Sequence, residues 1–527
     1  MTRQSMSRQL SLWRQLFSHQ VYNRGLHLFG GLLNRSTSMP YLKRIWLGIC
    51  CLVLLAMTIL TCRPPADEVS KKARLQVVLM GNQPPKTVYF WEDSLHRQLS
   101  FELYYYDQNQ AFTAPPAPPQ FLVNGQVIAG NTFTFPEPGQ YTISARVKNR
   151  VSEDQLVLTV SRAADYLRQV LLKAPVLLLN ADSISQLPLS YELIPKQGKS
   201  LDPADYPAPQ LVADDQPQPT AAYFATRQVG PHRLYSSFLG VPSNGILVTA
   251  RPAISYPLIR LPVIMHVPRA MANQVDPAAL LAEVNQIYRR ALLSSTPNQA
   301  DAYIEFYPAP QDPAGQPLAV AGLHPLSVTN PDSATQAQRI VGNLLHQWCP
   351  RQYLNVVIGI DWYRRYPAEY SYATIPTLLP KGSPPPSCAD LTMADWSKTE
   401  LPAVYISPLG LPKVGSNLAH ELGHFLGLGH TFSPTCTGIG QFADVPLHLE
   451  AYADANGLKY NCQRAAFVSD YVMDYYITPR RSFTQDQVGM MRTVLERGSY
   501  VPTSLATSRQ SSKRDARWIP ATGTIID

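Results

Sequence analysis

Charge is scarce in this chain. Asp, Glu, Lys and Arg make up 16% of its 527 residues, while prolines number 48. That balance does not suit a helical cytosolic protein and fits loop-rich exported β domains. A basic surface for nucleic acid is missing too. The formal net charge is +8, yet residues 1–62 hold seven basic residues and no acidic one, and without them 38 basic residues stand against 37 acidic ones. The excess belongs to the N-terminus, so no nucleic-acid partner is expected. No Cys-x-x-Cys pair is present, which argues against a thiolate zinc site. Long apolar runs are confined to residues 45–61, which follow Lys43-Arg44 and stop at Cys62. A basic stretch and then an apolar one reads as a secretory signal. Its end at a cysteine predicts a bacterial lipoprotein, with Cys62 acylated after cleavage. An uncleaved signal-anchor is the alternative, although the run is at the short edge for a membrane span. Met39 opens a signal of ordinary length, so it is the expected start, with residues 1–38 an over-extended reading frame. The expected location is the bacterial cell envelope, lipid-anchored in the outer membrane, or the medium. Of the seven cysteines, Cys50 and Cys51 leave with the signal, and besides Cys62 there remain Cys349, Cys388, Cys436 and Cys462. An even number in an exported protein fits disulfides, with three connectivities open.

What is present divides the chain. Ser100-Phe101-Glu102-Leu103 recurs as Ser190-Tyr191-Glu192-Leu193, 90 residues on. Pro119-Gln120-Phe121-Leu122-Val123 recurs as Pro209-Gln210-Leu211-Val212, and Leu156-Val157-Leu158-Thr159-Val160 as Ile246-Leu247-Val248-Thr249-Ala250, at the same offset of 90. Gly139 and Gly230 differ by 91. These matches predict two tandem units of about ninety residues. Tyr141–Val147 alternates with period two, and Asn124-Gly125 is a hairpin signal. Two all-β, immunoglobulin-like sandwiches are therefore expected at 63–165 and 166–251, acting as a spacer. Residues 252–500 read as an α/β domain and 501–527 as an extended tail. In that domain strands are predicted at 258–267, 302–307, 353–360 and 402–407, and helices at 277–292 and 335–347. Thr484 with Gln487 forms a capping box, and Gly498 is the predicted C-cap of the last helix.

The chemistry concentrates in His420-Glu421-Leu422-Gly423-His424-Phe425-Leu426-Gly427-Leu428-Gly429-His430. His420 and His424 are four residues apart, so on a helix they share one face. Two imidazoles can then converge on one Zn²⁺. Glu421 can reach a water at that ion without ligating it. Gly427 lets the helix stop and the backbone turn back, bringing His430 in as third ligand. Ser416 is the expected N-cap of this helix. Met473 lies about forty residues downstream in Val472-Met473-Asp474-Tyr475-Tyr476. His266, His324 and His346 lie outside the motif and read as structural or surface residues.

Residues 255–500 resemble the pappalysin branch of the metzincins, which includes the cytophagalysins and ulilysin. The resemblance rests on the His420–His430 motif, the Met473 turn, Leu261–Val267, Asp301–Phe306, Tyr353–Ile358, Tyr372–Pro376, Asp444-Val445-Pro446 and Phe483–Gln487. It implies a zinc endopeptidase with a twisted mixed sheet and an active-site helix. Met473 would form the turn beneath the metal, and Tyr475 would help stabilise the tetrahedral oxyanion. It also implies a Cys436–Cys462 disulfide, which leaves Cys349 and Cys388 for each other. In relatives the Asp444 loop helps hold Ca²⁺, but Val445 stands where the family usually has threonine. The expected reaction is hydrolysis of protein or peptide substrates, with Glu421 as general base. A surface adhesin that kept the fold without turnover is the rival expectation; an intact Glu421 weighs against it.

Overall fold

The computed structural model describes residues 73–502, apart from 82, 107–111, 183, 295, 329–330, 332, 362–370, 389–400, 409–413, 438–439, 456 and 476–479. Met39, the apolar run, Cys62 and the tail from 503 lie outside the described residues. Among the described residues no helix is long and apolar enough to cross a membrane. The chain forms two compact units. One takes the described residues up to Pro85, Leu99–Phe133 and Tyr141–Leu158; the other takes Lys86–Gln98, Thr134–Gln140 and the described residues from Thr159.

In the first unit Arg74–Leu79 pairs antiparallel with Gln98–Tyr106, in register from Arg74 on Tyr106 to Leu79 on Phe101. Gln120–Val123 pairs with the strand through Tyr141–Val147, Gln120 opposite Arg146 and Val123 opposite Ile143. The Asn124-Gly125 hairpin forms as predicted, with both residues at positive φ (48° and 79°), the conformation of a two-residue type I′ turn. The second unit repeats this register. Gln210 faces Ser237 and Ala213 faces Leu234, so one strand is displaced by 90 residues and its partner by 91, as Gly139 and Gly230 are. Its hairpin turn is Asp214-Asp215, again at positive φ (49° and 62°). The sheet there runs Leu178–Asn180, Ile246–Arg251, Gly230–Phe238, Gln210–Ala213, Gln216–Pro217. The N-terminal region is mostly β, and the internal repeat is a repeat of strand pairing.

From Ile259 the architecture changes. Strands β1 (Ile259–Pro268), β2 (Ile304–Pro308), β3 (Leu323–Leu326), β4 (Leu354–Ile358), β5 (Tyr372–Ala373) and β6 (Val404–Ile406) form one sheet in the order β2-β1-β4-β6-β5, with β3 also on β1. All pairings are parallel except the antiparallel β5–β6 pair. The sheet is therefore mixed, as expected. Its strands are buried on both faces, which is why they read as unbroken apolar runs. Val356, Ile358, Val404 and Ile406 point to a core shared with helices α1 (Pro277–Tyr288), α3 (Val414–Phe425) and α4 (Gln485–Arg497). Val357, Ala403 and Tyr405 point the other way, to helix α2 (Ala334–Gln347). Helices thus cover both faces of the sheet.

Helix ends follow the sequence with two corrections, the first being that α1 stops at Tyr288, with Arg289 as its C-cap, short of the expected 292. The Thr484–Gln487 capping box is present at the start of α4. Ser416, however, is not a cap: α3 begins at Val414 and Ser416 lies in its first turn. Gly498 does end α4, but at φ −66°. Glycine is needed there because a Cβ would meet Val501 Cγ2 at 2.5 Å and Val494 O at 2.7 Å.

Candidate metal centre and active site

Helix α3 is two-faced. Leu418, Ala419, Leu422 and Phe425 are fully buried in the core. His420 and His424 lie one turn apart on the rest of the helix, with Glu421 next to the first. The helix stops at Gly427, which has φ +88°. Gly427 N–H donates to His424 O at 2.8 Å and Leu428 N–H to Gly423 O at 3.0 Å. Those two bonds define a Schellman motif, in which a left-handed residue closes the last turn. A second reason for glycine is steric: a Cβ on Gly427 would lie 2.6 Å from Val494 Cγ2 of α4. The reversal brings His430 back over α3.

His424 Nε2 lies 3.1 Å from His420 Nε2 and 3.2 Å from His430 Nε2. Two of the rings have a fixed tautomer. His420 Nδ1 donates to Val472 O at 2.6 Å and His424 Nδ1 to Leu428 O at 2.7 Å, which leaves both Nε2 atoms as bare lone pairs. Burial drives the three imidazoles neutral. It pushes His420 well below its ordinary value, His424 down to about 4 and His430 down to about 3. Lone pairs aimed at one another repel unless a cation lies between them. Tetrahedral zinc with Zn–N bonds of about 2.0–2.1 Å requires N···N separations of about 3.3–3.4 Å. The donor set therefore fits Zn²⁺ in number, chemistry and spacing. Among the described residues it is the one group of three or more His, Cys, Asp or Glu side chains placed to hold a metal.

Glu421 is buried, and its Oε2 has no hydrogen-bond partner. Loss of solvent raises its carboxyl to about 8, with the Arg480 guanidinium pulling the other way. Met473 is fully buried, and its Sδ lies so near α3 that a Cβ on Gly423 would sit 2.4 Å from it. The expected packing role of Met473 is what the geometry gives, and its partner is a glycine that the zinc-motif pattern leaves free. The turn also anchors the ligands, since Val472 O holds His420 and Met473 O accepts from Thr431 N–H at 3.0 Å. Tyr475 packs its ring on His430 (centroids 4.4 Å apart) and His420 (5.7 Å).

Residues 404–496, which contain all of these groups, match the peptidase family model described as pregnancy-associated plasma protein-A. The segment is a pappalysin-type metzincin. Among solved structures the chain is similar to mature mirolysin of Tannerella forsythia in complex with a cleaved peptide, at 22% identity over 45% of this chain and 92% of that one, with a TM-score of 0.34. A promirolysin mutant of the same organism matches at 21% identity over 46% of this chain and 82% of that one, with a TM-score of 0.35. The fibronectin(III)-like modules of Clostridium thermocellum CbhA match at 13% identity over 34% of this chain and 94% of theirs, with a TM-score of 0.18. No curated protein matches the chain.

Both disulfides form in the expected pairing, with Cα–Cα distances of 5.5 Å for Cys436–Cys462 and 5.7 Å for Cys349–Cys388. His266 is structural, as expected. It is fully buried, bonded to Asn355 Oδ1 and His324 Nδ1 (both 2.9 Å), and burial takes it down to about 3. Asp444 spends its carboxylate on the protein. Oδ1 accepts from Thr484 Oγ1 at 2.7 Å, and Oδ2 accepts from Asp486 N–H at 3.0 Å and from the Arg251 guanidinium.

Three features escaped the sequence reading. Arg251, the last residue of the final strand in the repeat, bridges Asp444 and Asp486. Arg480 donates to Asn417 Oδ1 of α3 at 3.2 Å. Beneath the methionine turn Lys459 Nζ bonds both oxygens of Asp474 at 2.9 Å and Tyr475 O at 2.8 Å. Asp474 also accepts from Ser469, His448 and its neighbour Tyr475 N–H. A buried acid–base pair thus fixes the backbone on either side of Met473 and Tyr475. The one signal for it was a lysine in a segment that is otherwise apolar or turn-forming.

Proposed function

We propose that the chain is a zinc-dependent endopeptidase of extracellular proteins. The observation that carries the reading is the convergence of three imidazole Nε2 atoms beside a buried carboxylate oxygen without a partner. His420, His424 and His430 would hold the ion. A bound Zn²⁺ would acidify its water to near neutrality and polarise a carbonyl. Glu421 accepts a proton at Oε2 from the attacking water and returns it to the departing amine. The Tyr475 hydroxyl supports the developing oxyanion, a role favoured by its ring lying against two of the histidines. Tautomers fixed by Val472 O and Leu428 O keep the His420 and His424 Nε2 atoms aimed without reorganisation.

Calcium does not fit beside Asp444. Its carboxylate already has three protein donors, one a cation, and Val445 offers no side-chain oxygen. Arg251 supplies the positive charge there. Export to an oxidising compartment, with Cys62 as lipid anchor, is proposed as well; two disulfides favour it.

The test is a proteome-derived peptide digest with the zinc-loaded protein, repeated with a chelator and with Glu421→Gln. Chelator-sensitive cleavage is expected, with the variant keeping its zinc and losing activity by several orders of magnitude. Near-normal turnover in Glu421→Gln would rule that residue out as the base.

A further inference from the structure

Arg480 has no task in the hydrolysis as described, yet it sits in the site. Its guanidinium carries five N–H donors. Among the described residues its one hydrogen bond is to Asn417 Oδ1, and it forms no ion pair. Asn417 lies four residues before Glu421, so the two share a face of α3 and the cation stands about one turn from the base. Its charge acts on Glu421 and on all three histidines. The carboxylates within its reach are otherwise engaged. Asp474 is bound by Lys459, His448, Ser469 and Tyr475 N–H, and Glu421 must stay free to take a proton. The half-buried guanidinium has therefore lost part of its hydration without gaining a counter-ion among the described residues.

We propose that Arg480 is a specificity residue that receives a carboxylate of the peptide close to the scissile bond. This rests on the peptidase reading. The planar fork matches a carboxylate in bidentate geometry, and water is partly excluded there, which strengthens the pair. The carboxylate has two sources, an Asp or Glu side chain or the free C-terminus of a short substrate. Asn417 holds the fork in place while the site is empty.

The experiment uses the zinc-loaded full chain and matched peptides. One arm replaces Glu by Gln at each position flanking the cleaved bond. The other compares free with amidated C-termini. At one position, or at the C-terminus, the carboxylate form should be cut with kcat/KM at least about tenfold above its amide isostere. In Arg480→Gln that ratio should fall to near one, and in Arg480→Glu it should favour lysine at the same position. Thermal melting and zinc content establish that the variants fold. If they do not, the wild-type ratios decide alone. Cleavage indifferent to every carboxylate would overturn the proposal, as would a ratio that survives in Arg480→Gln. Failure to cut any peptide would instead remove the peptidase reading, and this proposal with it.

Discussion

Replacing Lys459 by methionine isolates the pair that fixes the methionine turn. Lys459 and Asp474 have side chains 2% and 0% exposed. Methionine keeps most of the aliphatic stem, so little cavity is created. The loss is three hydrogen bonds of 2.8–2.9 Å and a cation beside a buried carboxylate. Removing one partner of a buried ion pair costs about 3–5 kcal/mol. Asp474 keeps Ser469, His448 and Tyr475 N–H as donors, which places the effect near the lower end, about 3 kcal/mol. For a domain of this size that is a fall in Tm of roughly 6–12 °C. Thermal melting of the zinc-loaded chain at neutral pH reads it. Activity should fall with it, since Tyr475 O loses its anchor. A double mutant with Asp474→Asn should recover much of the loss, giving a coupling of about 2 kcal/mol or more. The pH dependence has a definite sign. Burial alone would raise Asp474, but the hydrogen bond from His448 and the charges of His448 and Lys459 hold it below its ordinary value. Its contribution is then present above the unfolded value of about 3.9 and is lost as pH falls through the lower native value. Lys459→Met within 0.5 kcal/mol of wild type, or strict additivity in the cycle, would refute the reasoning.

Three further outcomes follow from the geometry. His430→Ala should sharply weaken zinc binding, because two ligands cannot hold the ion as three do; unchanged zinc affinity by competition with a chelator would contradict the third ligand. Gly427→Ala should destabilise by about 2–5 kcal/mol, combining about 1–2 for a left-handed residue with about 1–3 for overpacking against Val494; a Tm unchanged within 1 °C would remove both arguments. Arg251→Met should destabilise by about 3–5 kcal/mol by stranding Asp444, while added calcium leaves the Tm of the wild-type zinc-loaded protein unchanged; marked stabilisation by calcium would show that Asp444 can exchange its arginine for the ion.

Much of the site was legible because its logic is local. Three histidines and a glycine within eleven residues encode a helix, its Schellman end and a metal face. Strand pairing in the repeat was readable from an offset of 90 because period-two alternation fixes which residues face the core. What was not readable depends on distant partners. Arg251 meets Asp444 across 193 positions, and Lys459 meets Asp474 through a loop whose course no propensity sets. Ser416 failed as a cap because a good N-cap residue is also tolerated inside a first turn when the helix begins earlier. Gly498 was right in position and wrong in reason: close approach of Val494 and Val501, not a left-handed backbone, requires it.

The most direct test of the central claim is anomalous diffraction at the zinc edge from a crystal of the purified protein. One strong peak is expected about 2.0–2.1 Å from Nε2 of His420, His424 and His430. A zinc-loaded crystal with no peak among the three rings, or with the ion bound elsewhere, would contradict the account.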